Sequence, residues 1–473
     1  MGLYEGIPYV NFHELNLNDL MAEVKKIKDT VDEWNGDIQT AVNNYLDNHP
    51  EIMITDNSVY TDAIQDGAVT REKLADGVMP EYVTPQMFKT ADNTWRDAFQ
   101  AAFDQGVDVY VPTDKGETYL IEGPPPVDVG GIEVVQPALI WRYNGINGSP
   151  RKLYGSATWR TVGSAGAIQF KPYSNAPYDE QPLIRVEQDV QGFHIANLRF
   201  TTTMLNNTGT CIDAATSTEV NKDIQITDCS FAEFWRVIDF SGRGLNVFNS
   251  IFGSCSYGVR VSWIPGATDS TIESRGIWFE GCRFHNISRL VVEVVSGHAW
   301  GLTINGCLLD NQGSGLVYNN GSDSSENWMI CNNVFQDVNR ASGYVDAIKF
   351  NAPANNCVIH NNIFHAQSYT RAHSHIVLFN SVATYCRISN NNVRHLFYDA
   401  GSHPNYRAFT FTDPGSHDNV ITGNMVTGLE PTQFLCSTAA GCDRFLICDN
   451  LTDGGLRGGT APTNSVVADN VTL

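Results

Sequence analysis

From residue 195 to the C-terminus the chain repeats one short pattern of apolar and polar positions. Two apolar ends flank a small dipeptide, as in Ile195-Ala-Asn197-Leu-Arg-Phe200, Ile226-Thr-Asp228-Cys-Ser-Phe231 and Val247-Phe-Asn249-Ser-Ile-Phe252. The phrase starts again at Phe279, Ile304, Ile330, Ile359, Ile388, Ile421, Ile447 and Val467, eleven occurrences in all. Dipeptides such as Asn-Asn, Asp-Asn and Gly-Asn tolerate positive φ and make local side-chain bonds, so each phrase predicts two short strands joined by a turn. Successive phrases begin from 20 residues apart (Ile447 to Val467) to 33 apart (Ile388 to Ile421). That spread is too wide for leucine-rich or helical repeats and suits a β-solenoid whose loops vary in length.

A further strand follows most phrases, for example Val237-Ile-Asp-Phe-Ser241, Val259-Arg-Val-Ser262, Ala347-Ile-Lys-Phe-Asn351, Ile376-Val-Leu-Phe-Asn380 and Ala408-Phe-Thr-Phe-Thr412. Each is β-rich and ends in a small polar residue, as a strand leaving a core should. Stacked coils predict parallel sheets with a column of polar turn residues along one corner. Eleven coils at roughly 4.8 Å each make a rod of about 50 Å.

With these repeats in view, residues from about 90 onward resemble the single-stranded right-handed parallel β-helix of the pectate-lyase-like superfamily, in the form found in bacteriophage tailspikes and pre-neck appendages. The resemblance covers about four-fifths of the chain. It implies an all-β fold, a homotrimer, a place in the virion after assembly in the host cytoplasm, and a bacterial surface polysaccharide as partner. Fold alone does not fix function.

Four segments follow. Residues 1–50 hold an apolar, Gly- and Pro-interrupted start, which suits docking on tail or neck proteins of the virion, and then a heptad seam. In that seam Leu17, Leu20, Val24, Ile27, Val31, Trp34, Ile38, Ala41 and Tyr45 alternate steps of three and four, predicting an α-helical coiled coil. Residues 51–85 carry a ten-residue repeat, Ser58-Val59 to Asp66-Gly67 echoed by Ala68-Val69 to Asp76-Gly77, and are similar to neck segments of phage fibres. Residues 86–190 predict a helix near Trp95–Phe103 that covers the first coil, followed by irregular early coils. Residues 191–473 form the main β-helix, and no separate C-terminal domain is visible.

Composition narrows the partners. The 473 residues are 17% charged, with a formal net charge of -22 and a pI near 4.8. Such a surface repels nucleic acid and anionic membranes, and a strongly acidic polysaccharide too unless a local basic patch intervenes. No stretch is long and apolar enough to span a bilayer, and the N-terminus lacks the features of a secretory signal. The eleven cysteines recur at matching phrase positions, Cys229, Cys282 and Cys307 at one, Cys331 and Cys448 at another, Cys357 and Cys386 at a third. They are therefore expected to be small core or turn residues of a protein made in a reducing compartment, not a disulfide framework or zinc site.

Motif chemistry is sparse, with no nucleophile elbow, Walker loop or dinucleotide fingerprint in a sensible context, and no cofactor is expected. His373 and His375, with Asp399 a coil later, would be a metal or acid-base group, but no spacing recurs as a ligand set needs. We read the histidines as loop residues and expect no metal. Trp235, Trp263 and Trp300, with Trp278 and Trp328, lie in or beside loops leaving the coils, where flat rings and Arg260 suit carbohydrate. The alternative is that each ring packs loop against coil. Aligning the third strands sets Asp213, Asp239, Arg260 and, within one residue, Glu293 in an outward column. Carboxylates one coil apart suit a retaining glycosidase, and Asp239 with Glu293, two coils apart, an inverting one. The bland alternative is an ion-pair ladder of Asp239, Arg260 and Glu293, which keeps the acids ionised and unfit to donate a proton. Two functions remain open: an appendage that binds glycan, or a depolymerase, hydrolase rather than lyase. An extracellular pectate lyase would leave the first 85 residues without a purpose.

Overall fold

In the computed structural model the chain divides into two units, Met1–Met79 and Pro80–Leu473. The described residues are Lys25, which is helical, and 82–472 with breaks at 114–115, 143–150, 157–166, 174–180, 188–189, 204–208, 216–220, 262–272, 296–297, 311–316, 322–323, 339–345, 369–374, 398–406 and 430–433. Apart from Lys25, the predicted anchor, coiled coil and ten-residue repeat lie outside them.

Three long parallel sheets run the length of the second unit, with 17, 13 and 12 described strands; we call them sheets I, II and III. A coil visits each in turn. In one, Phe193–Ala196 lies in sheet I, Arg199–Thr202 in sheet II and Thr210–Ala214 in sheet III, before Asn221–Thr227 returns to sheet I. Every repeated phrase is a sheet I strand, a two-residue turn and a sheet II strand, as the pattern predicts. The first turn residue has positive φ in all eleven, from Asn249 at 48° to Gly423 at 65°. Only Asn, Asp and Gly occupy that site, the residues for which the left-handed region is least costly.

The second turn residue points inward, and it ties each coil to the next. From Asn333 it is always asparagine: Asn333, Asn362, Asn391, Asn424, Asn450 and Asn470, the first five about 1% exposed. The Asn391 amide shows the arrangement. Its Nδ2 donates to the Ile359 carbonyl at 2.9 Å and to Asn424 Oδ1 at 3.0 Å, and its Oδ1 accepts from the Asn362 backbone N–H at 3.0 Å and from Asn362 Nδ2 at 2.9 Å. Both donors and both lone pairs are used, which makes burial of the amide tolerable. Earlier coils fill the same place with Leu198, Cys229, Ser250, Cys282 and Cys307, and the Cys307 N–H donates to Asn333 Oδ1 at 2.9 Å where the asparagine run begins.

Inside the coils, like residues stack. Phe200, Phe231, Phe252 and Phe284 are 5.3, 5.2 and 4.7 Å apart in sequence, and Phe350, Phe379 and Phe411 are 4.8 and 4.7 Å apart. The apolar core is one continuous cluster from Val83 to Ile447. Its N-terminal end is closed by α1, Trp95–Phe103, whose Ala98, Phe99, Ala102 and Phe103 are buried. Thr94 and Asp97 bond reciprocally at the start of α1, Asp97 N–H to Thr94 Oγ1 at 3.2 Å and Thr94 N–H to Asp97 Oδ2 at 3.0 Å. Arg151 anchors the other end by donating to the Phe103 carbonyl at 3.3 Å, with its guanidinium 4.4 Å from the Trp141 ring.

All eleven cysteines are unbridged, ten of them buried and Cys448 partly so. Burial pushes the Cys229, Cys255 and Cys436 thiols up to about 12. Two outcomes follow. Asn391→Leu strands donors and acceptors on both sides of the ladder and should cost about 3 kcal/mol, read as a Tm lower by a few degrees; an unchanged Tm would show that the ladder adds nothing net. At pH 8 a thiol reagent should label the native protein at Cys448 at most and all eleven thiols after denaturation, whereas rapid native labelling of several thiols would contradict the packing.

Candidate functional site on the outer face of sheet III

Ten of the twelve described sheet III strands are five residues long, and six of them share one burial pattern, with only the fourth position partly exposed. In Arg236–Phe240, Val237, Ile238 and Phe240 join the main core. Positions one and four of these strands face outward instead: Tyr257, Leu290 and Tyr318 form a separate apolar cluster with Trp235 against it. Two inward residues in succession, at positions two and three, break the strict alternation of a flat strand. They bring positions one and four to the same side, so that Arg236 Nη1 reaches Asp239 Oδ2, three residues on, at 3.3 Å.

Position four is the column read from the sequence. Arg185 pairs in register with Asp213, Asp213 with Asp239, Asp239 with Arg260, Arg260 with Glu293 and Glu293 with Tyr318, followed by Lys349. Glu293 holds the register expected for it. Adjacent strands set Asp213 and Asp239 about 4.8 Å apart at the backbone, and Asp239 and Glu293 about twice that.

The expected ion-pair ladder does not form. Arg185 Nε donates to Asp213 Oδ2 at 2.9 Å, Arg236 holds Asp239, and Glu293 Oε1 accepts from the neutral amide of Asn320 at 2.9 Å. Each aspartate is taken by an arginine from its N-terminal side, and Arg260 makes no ion pair or hydrogen bond among the described residues. Its Nε is buried without a partner. Glu293 is thus the one carboxylate of the column with no cation on it among the described residues.

A wall stands beside this column. The Trp235 and Tyr257 rings meet edge to face at 5.7 Å, and the Arg289 guanidinium lies 4.6 Å from the Trp235 ring while donating to Tyr257 Oη at 3.1 Å. The Trp235 indole N–H is also buried without a partner. Of the other tryptophans, Trp263 lies outside the described residues. Trp300 and Trp278 sit in sheet I strands rather than in loops, 37% and 43% exposed, and Arg275 lies 4.2 Å over the Trp300 ring. Trp300 therefore belongs to a different sheet from the column. Trp328 is no platform, since it is fully buried in the core and its Nε1 donates to the Ala299 carbonyl at 2.8 Å.

Further along the same face, His375 is not a loop residue: it opens a sheet III strand and shares a 2.8 Å hydrogen bond through Nδ1 with Asp346, whose side chain is 1% exposed. Lys349 Nζ is 3.8 Å from the same carboxylate, and Tyr318 Oη donates to the Asp346 carbonyl at 3.0 Å. His373 and Asp399, the other members of the expected group, lie outside the described residues. Among the described residues no set of three or more His, Cys, Asp or Glu converges as metal ligands do. Sequence reading missed Arg185, Arg236, Arg289 and Asp346. A usable signal was present for Arg236 and Asp346, since each opens a strand three residues before an outward position.

Together these features define a single-stranded right-handed parallel β-helix with a polar and aromatic outer face on sheet III. No protein-family model and no curated protein matches the sequence. Among solved structures the chain is similar to the A-module of mannuronan C-5 epimerase AlgE4 from Azotobacter vinelandii, at 14% identity and a TM-score of 0.50 over 81% of this chain and 99% of that one. It is similar to tailspike protein 3 of bacteriophage CBA120, at 12% identity and a TM-score of 0.46 over 92% and 69%. Gene product 12 of bacteriophage phi29, as an N-terminal fragment, matches at 12% identity and a TM-score of 0.40 over 81% and 70%. At these identities the likeness is one of fold.

Proposed function

We propose that the chain is a phage tail appendage that binds a bacterial surface glycan along the outer face of sheet III, as a homotrimer held to the virion through its N-terminal unit. The observation that carries the binding reading is the juxtaposition of the Trp235–Tyr257–Arg289 wall with a column of hydrogen-bonding side chains on successive coils. Rings offer flat apolar faces to sugars and the column offers donors and acceptors to hydroxyls, a combination suited to an extended chain of sugars. The N-terminal heptad seam supports association of identical chains.

A second reading, glycan cleavage, is favoured by the state of Glu293. A general acid should not be held by a cation, and Glu293 accepts from a neutral amide whereas Asp239 lies beneath Arg236. With Glu293 as acid and Asp239 as base about two coils apart, the spacing suits an inverting hydrolase in which Asp239 takes a proton from the attacking water and Glu293 gives one to the leaving oxygen. Asp213, held by Arg185, would then position substrate.

Light scattering on the full chain should give three times the chain mass, and Ile27→Asp with Val31→Asp should reduce it; a wild-type mass of one chain would exclude the trimer. Host cells or their purified surface glycan should retain the protein. If the chain also cleaves, Glu293→Gln and Asp239→Asn should each lower the release of oligosaccharide by about 100-fold or more while the folded protein is still retained by cells. Cleavage surviving both substitutions would remove this pair from consideration.

A further inference from the structure

The chain's charge argues against an acidic ligand, yet the outer face of sheet III does not share that charge. Around Arg260 it sets four guanidiniums, those of Arg185, Arg236, Arg260 and Arg289, against the three carboxylates Asp213, Asp239 and Glu293, on a chain whose formal net charge is -22. Two of the carboxylates are already held by Arg185 and Arg236. Arg260 is left over, between Asp239 and Glu293 in register but bonded to neither.

Among the donors on this face buried without an acceptor are Arg260 Nε and Trp235 Nε1. They belong to neighbouring coils, since Trp235 adjoins Arg236, which pairs in register with Tyr257 on the strand of Arg260. A buried N–H with no acceptor is costly, more so for a charged group, and in native proteins nearly all such groups find a partner. The missing chemistry is an acceptor, and beside a guanidinium the strongest acceptor is an oxyanion. A sugar hydroxyl would satisfy one N–H but would leave the positive charge of Arg260 unneutralised.

Building on the glycan-binding reading above, we propose that the bound polymer is acidic and that each engaged repeat seats an oxyanion on Arg260 and the Trp235 N–H, with Arg289 adding positive charge at the wall. Carboxylate on a uronic acid and phosphate in a phosphodiester backbone share this chemistry. The pairing of Asp213 and Asp239 with their own arginines keeps those two acids from repelling the ligand. The outer face thereby acts as a local basic patch on an acidic rod.

Binding of the full chain to an immobilised panel of purified bacterial surface glycans tests this, with neutral polymers, uronate-containing polymers and phosphodiester polymers as separate arms. Retention in an acidic arm, weakening as salt rises, is the expected result, and the arm identifies which oxyanion is read. On the retained polymer Arg260→Ala should weaken binding about 10-fold or more, and Trp235→Phe, which keeps a ring but removes the N–H, by a smaller factor. Arg260→Lys, which keeps the charge and the fold but loses the Nε donor, should fall between Arg260→Ala and the native chain. Retention by neutral polymers alone would overturn the inference and leave the glycan-binding reading standing. So would an Arg260→Ala chain that binds an acidic polymer as tightly as the native one. Retention by no arm would overturn both.

Discussion

From Asn333 onward the structure depends on one buried amide contact repeated coil after coil. Backbone bonds hold each strand to its neighbour in the stack, but the backbone alone would pair as well in a shifted register, which only the side chains forbid. The ladder from Asn333 to Asn470 removes that freedom. Each amide must meet the amide of the next coil and a main-chain carbonyl of the previous one, and a coil displaced by a single residue leaves those groups unpaired in the core. The left-handed residue just before it, such as Asn361 at φ 53°, turns the chain so that the amide points inward at all.

Once the corner is set, the outer face of sheet III follows from the local bend in its strands. Placing positions two and three inward brings positions one and four out together, so the face carries two columns rather than one. That is why Asp239 is met by Arg236 of its own strand and not by Arg260 of the next. The electrostatics of the face thus come from a backbone irregularity: arginines at the right places occupy the aspartates from within or from the preceding coil, leaving Arg260 and Glu293 available.

The fold was legible because its two requirements leave separate marks in the chain. Positive φ demands Asn, Asp or Gly at Asn197, Asp228 and Gly281 alike, and stacking demands apolar residues at matched distances on either side. The same logic put Glu293 in its column. What spacing could not convey was which neighbour a long side chain reaches, so the expected ladder through Arg260 gave way to pairs made by Arg185 and Arg236. Trp328 misled for a related reason: it follows Asn327, another left-handed residue at φ 55°, and so points into the core rather than out of a loop. His375 looked like a loop residue because the predicted strand starts one residue later, at Ile376, and the pairing with Asp346 extends it by that residue.

In the eleven repeated phrases the turn between sheets I and II is two residues long, whereas the passage from sheet II to sheet III ranges from two residues at 453–454 to sixteen at 123–138. Duplicating or deleting a whole coil changes how far the rod extends and leaves the remaining corners intact. Lengthening a passage alters only what one level of the rod displays. Length and surface can therefore be inherited separately, and one level of the surface can be redrawn without altering the spine that carries it.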